Sequence, residues 1–369
     1  MILTSIRLRN FRVHVDLYLE FSDSLNYIVG GNGHGKTSIL ESIYYLCTTK
    51  SFNARTDVEV VSFGKEGFEI IGHFSDITED YVRISCNLND LRKYYFLNDK
   101  NLNRYSNIIG KFPIVLLAPS DHSITQGAPG ERRKFIDSVI SQASSTYLKT
   151  LIDYNRTLKH RSSLLNRLKE FRTKEMIIEL DAWTAKLVET GSEITIWRKT
   201  FLEEFNSFVR DSYYRIMEHE EPIIEYYHLD GYNGDDVKNH FEHLVDEKRN
   251  EEFKRAANLV GPHRDDFIFS INDSNLKTYG SQGQHKTFQT ALRFAEFFYL
   301  KEITAKTPVF LLDDVFGELD AMRAQSISEY LKEVGQAFVT ITDFGNFSYL
   351  KNDKNDTLIN LNEGDVVYA

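Results

Sequence analysis

The chain's 369 residues, 41% hydrophobic and 27% charged, have an ordinary globular composition, enough for a large core and two domains, and exclude a disordered chain. No stretch of about 18 apolar residues occurs, and Met1 to Phe11 alternates like a strand containing Arg7 and Arg9, so the expectation is a soluble, unprocessed, cytoplasmic protein. The formal charge of −10 opposes a nucleic-acid partner only as a sum, because it is unevenly spread along the chain.

Strand patterns at Ile2 to Leu8, Val15 to Phe21 and Leu25 to Val29 precede a Gly-rich loop and an apolar helical run from Thr37 to Leu46. Alternating runs at Phe68 to Phe74, Tyr81 to Leu88 and Lys93 to Leu97 predict a small antiparallel sheet beside the first, and Pro113 to Ala118 a buried strand. Cys47 and Cys86 fall in helix and strand patterns without pairing or metal spacing and read as small buried side chains. From about Ser141, Tyr147, Leu151, Tyr154, Leu158, Leu165 and Leu168 recur every three or four residues once Arg161 takes one seam position. A second series runs Leu180, Trp183, Leu187, Ile194, Trp197, Phe201, Phe205 and Phe208, with Thr190 in its seam. The short break at Lys169 to Lys174 predicts an antiparallel hairpin whose longer helix reaches roughly 45 Å at 1.5 Å per residue.

Residues 131–174 hold 11 Lys and Arg against 4 Asp and Glu, a face suited to phosphate, whereas residues 202–252 hold 15 acidic side chains against 5 basic. Gly and Asp around Leu229 to Asp236 mark a turn, and parallel-sheet signals resume near Phe267 and again at Pro308 to Leu312 and Ala337 to Thr342. The expected organisation is α/β: a nucleotide-binding core split between residues 1–130 and 257–369, with residues 131–256 as a helical insertion.

Gly30-Gly31-Asn32-Gly33-His34-Gly35-Lys36-Thr37, followed by Ser38, fits the phosphate-loop pattern and lies where that pattern requires, between a strand and a helix. Its glycines let backbone N–H groups face the α- and β-phosphates of ATP, Lys36 reaches the β- and γ-phosphates, and the Thr37 hydroxyl can ligate Mg²⁺. Near the other end, Pro308 to Leu312 is an apolar strand ending in Asp313 and Asp314, with Asp313 expected on the metal side and Asp314 as general base. Ser281, Gly283 and Gln284 open the apolar helix from Phe288 to Leu300, where a hydroxyl, an N–H and a helix N-terminus together make an anion site.

Taken in this order, the three motifs resemble those of the ABC-type ATPases, in which the Ser-x-Gly-Gln signature binds the γ-phosphate held by the opposite subunit; Glu318-Leu319-Asp320 resembles the loop that follows the carboxylates. The resemblance implies an ATP-dependent homodimer with nucleotide sandwiched between chains. The separation of 245 positions from Lys36 to Ser281 exceeds the spacing in transport ATPases and matches the DNA-maintenance branch, while the arm is too short for an SMC coiled coil. A nuclease-type relative would need a metal-carboxylate domain that this length leaves no residues to build.

Pro119-Ser-Asp121 through Gly127-Ala-Pro-Gly-Glu-Arg132-Arg133-Lys-Phe-Ile-Asp137, Gly261-Pro-His263-Arg264-Asp265-Asp266, and the opening Leu8-Arg-Asn10-Phe11-Arg12 are similar to the RecF family within that branch. Membership implies slow, switch-like ATP hydrolysis, binding of double-stranded DNA near single-strand gaps, and RecR and RecO as partners through which RecA is loaded. Ser120, Asn53 with Arg55 nearby, and Thr342 before Asp343 depart from common residues at those positions or from the transporter switch His. For DNA contact the basic residues Arg132, Arg133, Lys134, Arg156, Lys159 and Arg161 are favoured, since each phosphate contact needs a cation. No helix-turn-helix or zinc-finger spacing occurs, so base-specific readout is not expected.

Overall fold

The computed structural model describes residues 1–89, 92–318, 320–342, 355–362 and 365–368. The chain begins with β1 (Ile2–Phe11), β2 (His14–Glu20), β3 (Leu25–Val29), α1 (Lys36–Thr48), β4 (Gly67–Ser75), β5 (Glu79–Asn87), β6 (Arg92–Leu97), β7 (Lys100–Asn101) and β8 (Ile114–Leu117). Next come α2 (His122–Gln126), α3 (Pro129–Ala143), α4 (Ser145–Glu170), α5 (Lys174–Ile216), β9 (Pro222–Tyr227), α6 (Val237–Arg255), β10 (Asp266–Ile271), β11 (Ser274–Asn275), α7 (Leu276–Tyr279) and α8 (Gln282–Thr304). It closes with β12 (Val309–Leu312), α9 (Ala321–Leu331), β13 (Ala337–Ile341), β14 (Thr357–Asn362) and β15 (Asp365–Tyr368). Two compact units result: Met1–Asp121, Ser212–Glu218 and Thr290–Ala369 form the first, His122–Asp211 and His219–Gln289 the second.

The first unit holds two six-stranded sheets, ordered β2-β1-β4-β5-β6-β7 and β15-β14-β3-β13-β12-β8. The first sheet is antiparallel throughout; in the second, β14, β3, β13, β12 and β8 run parallel and β15 pairs antiparallel at the edge. Every residue of β3, β12 and β13 is buried, the signature of a parallel strand covered on both faces. β1 and β2, expected beside β3, instead join the antiparallel sheet; β2 alternates buried and exposed positions along most of its length, as a strand covered on one face does. Leu3, Ile6 and Leu8 of β1, Ile39, Leu40 and Ile43 of α1, and Leu311 and Phe338 of the parallel sheet share one core. Gln336, 2% exposed, ties the layers: its Oε1 accepts from Leu3 N–H at 2.8 Å, and its Nε2 donates to Leu3 O at 2.7 Å and Ser22 O at 2.8 Å.

In the second unit α4 and α5 fold back as the expected hairpin. The pairing runs from Leu168 packed with Leu180 at the tip, through Arg161 with Thr184 and Thr150 with Glu193, to Tyr147 against Trp197. α5 has 43 residues, about 65 Å at 1.5 Å per residue, longer than expected because Val209, Tyr213 and Ile216 continue its buried face past Phe208.

Phe267 does not lie in a parallel sheet. It sits in β10, paired antiparallel with β9 on one side and β11 on the other, with Phe267 opposite Tyr226. That ladder places 257–289 in the second unit, so the units divide after Asp121 and Gln289 rather than at the boundaries the sequence suggests, and Ser212–Glu218 joins the first. No sequence pattern described above predicts helix α6 or strands β9, β14 and β15.

Candidate nucleotide site

The phosphate loop connects the buried strand β3 to α1, and its turn depends on two residues in the left-handed region, Gly33 at φ 84° and Gly35 at φ 88°. A side chain at Gly35 would place Cβ 2.5 Å from His14 Nε2, and one at Gly30 would place it 2.8 Å from Leu361 O, so both positions require glycine for space as well. His14 Nε2 also lies 3.1 Å from Gly35 O, and His34 Nδ1 2.9 Å from Leu361 O, which pins the second half of the loop. Gly31, Asn32 and Gly33 are exposed, while Lys36 at the start of α1 is 8% exposed. The Lys36 ammonium donates to Gly30 O at 2.7 Å and Gly31 O at 3.0 Å. Burial weakens its hold on its proton, against the charges of Asp314 and Asp313. An ammonium bonded only to carbonyls and partly stripped of water is a fitting receptor for a phosphate oxygen.

The two carboxylates follow β12, which pairs with β8 and β13, and they differ in burial. Asp313 is 7% exposed; its N–H donates to Leu117 O at 2.9 Å and its Oδ1 accepts from Thr37 Oγ1 and Thr340 Oγ1, each at 2.9 Å. Burial raises its carboxyl above the usual range, opposed by the two hydroxyl donors and helped by the neighbouring charge of Asp314. Asp314 is exposed, adopts φ 51°, a conformation non-glycine residues seldom take, and donates its N–H to Thr340 Oγ1 at 2.9 Å. The hydroxyl and carboxylate oxygens of Thr37 and Asp313 suit a hard divalent cation that keeps most of its waters.

The first unit thus brings together Lys36, Thr37, Asp313 and Asp314. It adds Thr340, which sequence reasoning missed: β12 and β13 pair Leu312 with Val339, so the next residue of each strand, Asp313 and Thr340, are neighbours. Arg12, at φ 55°, is a second omission; it grips Glu41 of α1 through Nε and Nη2 at 2.7 and 2.6 Å and braces the helix behind the loop. Among the described residues, Asn53 and Arg55 engage through backbone N–H groups, to Ser51 Oγ and Glu59 Oε2. Ser120 and Thr342 are exposed, and Leu319 and Asp343 lie outside the described residues.

Ser281, Gly283 and Gln284 belong to the second unit and open α8. Ser281 N–H donates to Gln284 Oε1 at 2.9 Å and Gln284 N–H to Ser281 Oγ at 3.2 Å, a reciprocal cap that fixes the first turn. Ser281 is exposed and Gly283 half-buried.

Of the six cations expected to meet DNA, two are withdrawn. Arg132, 4% exposed, spends Nε and Nη2 on Asp266 at 2.7 and 2.9 Å. Arg161, 1% exposed, bonds Glu252, Asn258 and Thr184 at 2.6, 2.6 and 2.9 Å. A buried guanidinium must be paired within the fold, and these partners are far away in sequence. Lys134, Arg156 and Lys159 are exposed and Arg133 is half-buried.

Residues 2–358 match the family model described as RecF/RecN/SMC N terminal domain. Two curated relatives, each a DNA replication and repair protein RecF, are similar over nearly the whole chain. The one from Salinibacter ruber is 38% identical over 355 residues, covering 94% of this chain and 86% of its own. The one from Chloroherpeton thalassium is 37% identical over 360 residues, covering 95% and 97%. A solved structure of the recombination mediator protein RecF-ATP in the RecFOR pathway superposes with a TM-score of 0.90 at 31% identity, over 100% of this chain and 97% of that one. With the ABC-type core and helical insertion in place, these likenesses have one meaning: the chain belongs to the RecF family of DNA replication and repair proteins.

Proposed function

We propose that the chain binds ATP and Mg²⁺ at the loop of residues 30–37 and uses them as a switch for dimerisation on DNA. The observation that carries this reading is the cluster in which Thr37 Oγ1 meets Asp313 Oδ1 at 2.9 Å beside the Lys36 ammonium. The loop N–H groups and Lys36 bind and orient the phosphates. Thr37 and Asp313 would hold the metal, which when bound offsets phosphate charge. Asp314, exposed beside Asp313, accepts the proton of the attacking water. Its side chain is short for that task, which fits slow hydrolysis that resets the switch. Ser281, Gly283 and Gln284 offer a hydroxyl and a helix N-terminus to the γ-phosphate held by a second copy.

In the cytoplasm the dimer grips double-stranded DNA near single-strand gaps through Arg133, Lys134, Arg156 and Lys159. RecR and RecO are then the partners through which RecA is loaded, in line with the RecFOR pathway named for the solved relative. Sedimentation with Mg-ATP, with and without a gapped duplex, tests the switch. Wild type should dimerise; Lys36→Met should not, for want of nucleotide, and Ser281→Arg should not, for want of the contact between copies. An equal mixture of the two variants should form at most one sandwich. A wild type that stays monomeric with ATP and ignores the duplex would sink this reading.

A further inference from the structure

The two sequence strings that the nucleotide site leaves unused meet inside the second unit. Arg132 pairs with Asp266, Arg133 Nη1 donates to Asp265 O at 2.5 Å, and Tyr154 Oη lies 2.7 Å from His263 Nδ1. Beside these contacts opens a cleft of about 460 Å³, lined along α3 by Arg133, Lys134, Ser138 and Ser141 and along α4 by Tyr154 and Asn155. Lys134, Ser138 and Ser141 are four and three residues apart, so one face of α3 presents them together.

The chemistry left free in this cleft is that of donors. Its one carboxylate, Asp137, is held by Arg198 Nε and Nη2 at 2.9 Å each and by the Tyr147 hydroxyl. His263 Nε2 faces Asn258 O at 3.2 Å and so carries the ring proton, leaving Nδ1 to accept from Tyr154. Burial pushes this imidazole down to about 4, so the floor is neutral. Ser141, 6% exposed, adds a hydroxyl-bearing side chain to the wall. The Arg133 guanidinium is held through Nη1 alone among the bonds described, and burial together with the Arg198 charge weakens its hold on its proton, a strain that an anion relieves. Arg133, Lys134 and Arg198 against Asp137 leave the lining two charges positive.

We propose that this cleft is a phosphoryl-anion site that seats a backbone phosphate of nucleic acid between α3 and α4. It depends on the DNA-binding reading above only for the source of the phosphate; the anion site stands or falls by itself. Two measurements on the full chain decide it: the melting temperature in inorganic phosphate against chloride at equal ionic strength, and binding of a fluorescent duplex across a potassium chloride series. The variants are Lys134→Gln, Asn155→Asp and Arg133→Gln. The first two alter exposed side chains and keep the wild-type melting temperature in chloride, so they remain informative if Arg133→Gln fails to fold.

Wild type should melt higher in phosphate, and the variants should lose that gain. Lys134→Gln should also lower the slope of log affinity against log salt by about one, and Asn155→Asp should weaken duplex binding by about tenfold, as expected for a charge placed against a phosphate. Loss of the phosphate effect with duplex binding unchanged would keep the anion site and assign it to free phosphate. A wild type that responds to neither probe, or variants that respond to both as wild type does, would overturn the proposal. Duplex binding lost only in Arg156→Gln or Lys159→Gln, with the phosphate effect kept in every variant, would leave the DNA reading intact and reject the cleft.

Discussion

At single residues the molecule sets buried charge against distant partners, and the consequences are measurable. Arg161 and Glu252 are each 1% exposed and bonded at 2.6 Å. Arg161→Met would leave the carboxylate buried and alone, a loss of about 3–5 kcal/mol, to be read by urea unfolding; Arg161→Met with Glu252→Leu should recover much of it. Thr340 acts on chemistry rather than on stability, since its hydroxyl serves both Asp313 and the Asp314 N–H. Thr340→Val should keep nucleotide affinity while slowing hydrolysis by about tenfold, or about 1.4 kcal/mol; an equal loss of both would assign Thr340 to binding. His263 gives a pH signature. Burial first, then the charges of Arg264, Arg133 and Arg161, hold its pKa at about 4 against 6.5, with Asn258 O opposing. The unfolded chain therefore takes up the proton first, so the stability His263 contributes is whole above pH 6.5 and drains away as pH falls toward 4. The melting-temperature advantage of wild type over His263→Gln should shrink over that window; a constant difference would refute it.

Elements show why some of this architecture is legible in sequence and some is not. The strand, loop and helix around Gly30 to Thr37 and the strand ending at Asp313 announce themselves because each pairs a buried, mainly apolar strand with one fixed chemistry at its end. The hairpin is equally plain, since its seam repeats over many turns, and Leu164, Leu165, Leu168 and Leu180 do form a separate cluster at its tip. Leu168→Ala should cost about 2–5 kcal/mol locally and speed amide exchange at the tip while leaving the first unit protected. Strand partners were harder to foresee. β9 pairs with β10 across about 40 residues of turn and helix, and β14 reaches β3 from the other end of the chain, so no local pattern records either ladder. Arg132 and Arg161 misled for the same reason: a charge on a helix reads as solvated until Asp266 or Glu252 comes into view.

Over the whole molecule, the nucleotide site ties residues about 300 positions apart, Thr37 to Asp313 and Thr340. A ligand bound there should stabilise the folded state by mass action, about 2.7 kcal/mol at a hundredfold excess over its Kd. Mg-ATP should accordingly raise the melting temperature of wild type and leave that of Lys36→Met where it is. The same long-range closure governs the birth of the protein. β3 lies between β13 and β14, so both neighbours of the strand that delivers the phosphate loop are made last. At about 5–20 residues per second, a ribosome needs on the order of 15–60 s between releasing Leu25–Val29 and supplying the first strand to pair with it. Throughout that interval a mostly apolar ribbon, Asn26 its one amide side chain, hangs from the nascent chain with both edges open, which makes this segment a natural client for a holdase at the exit tunnel.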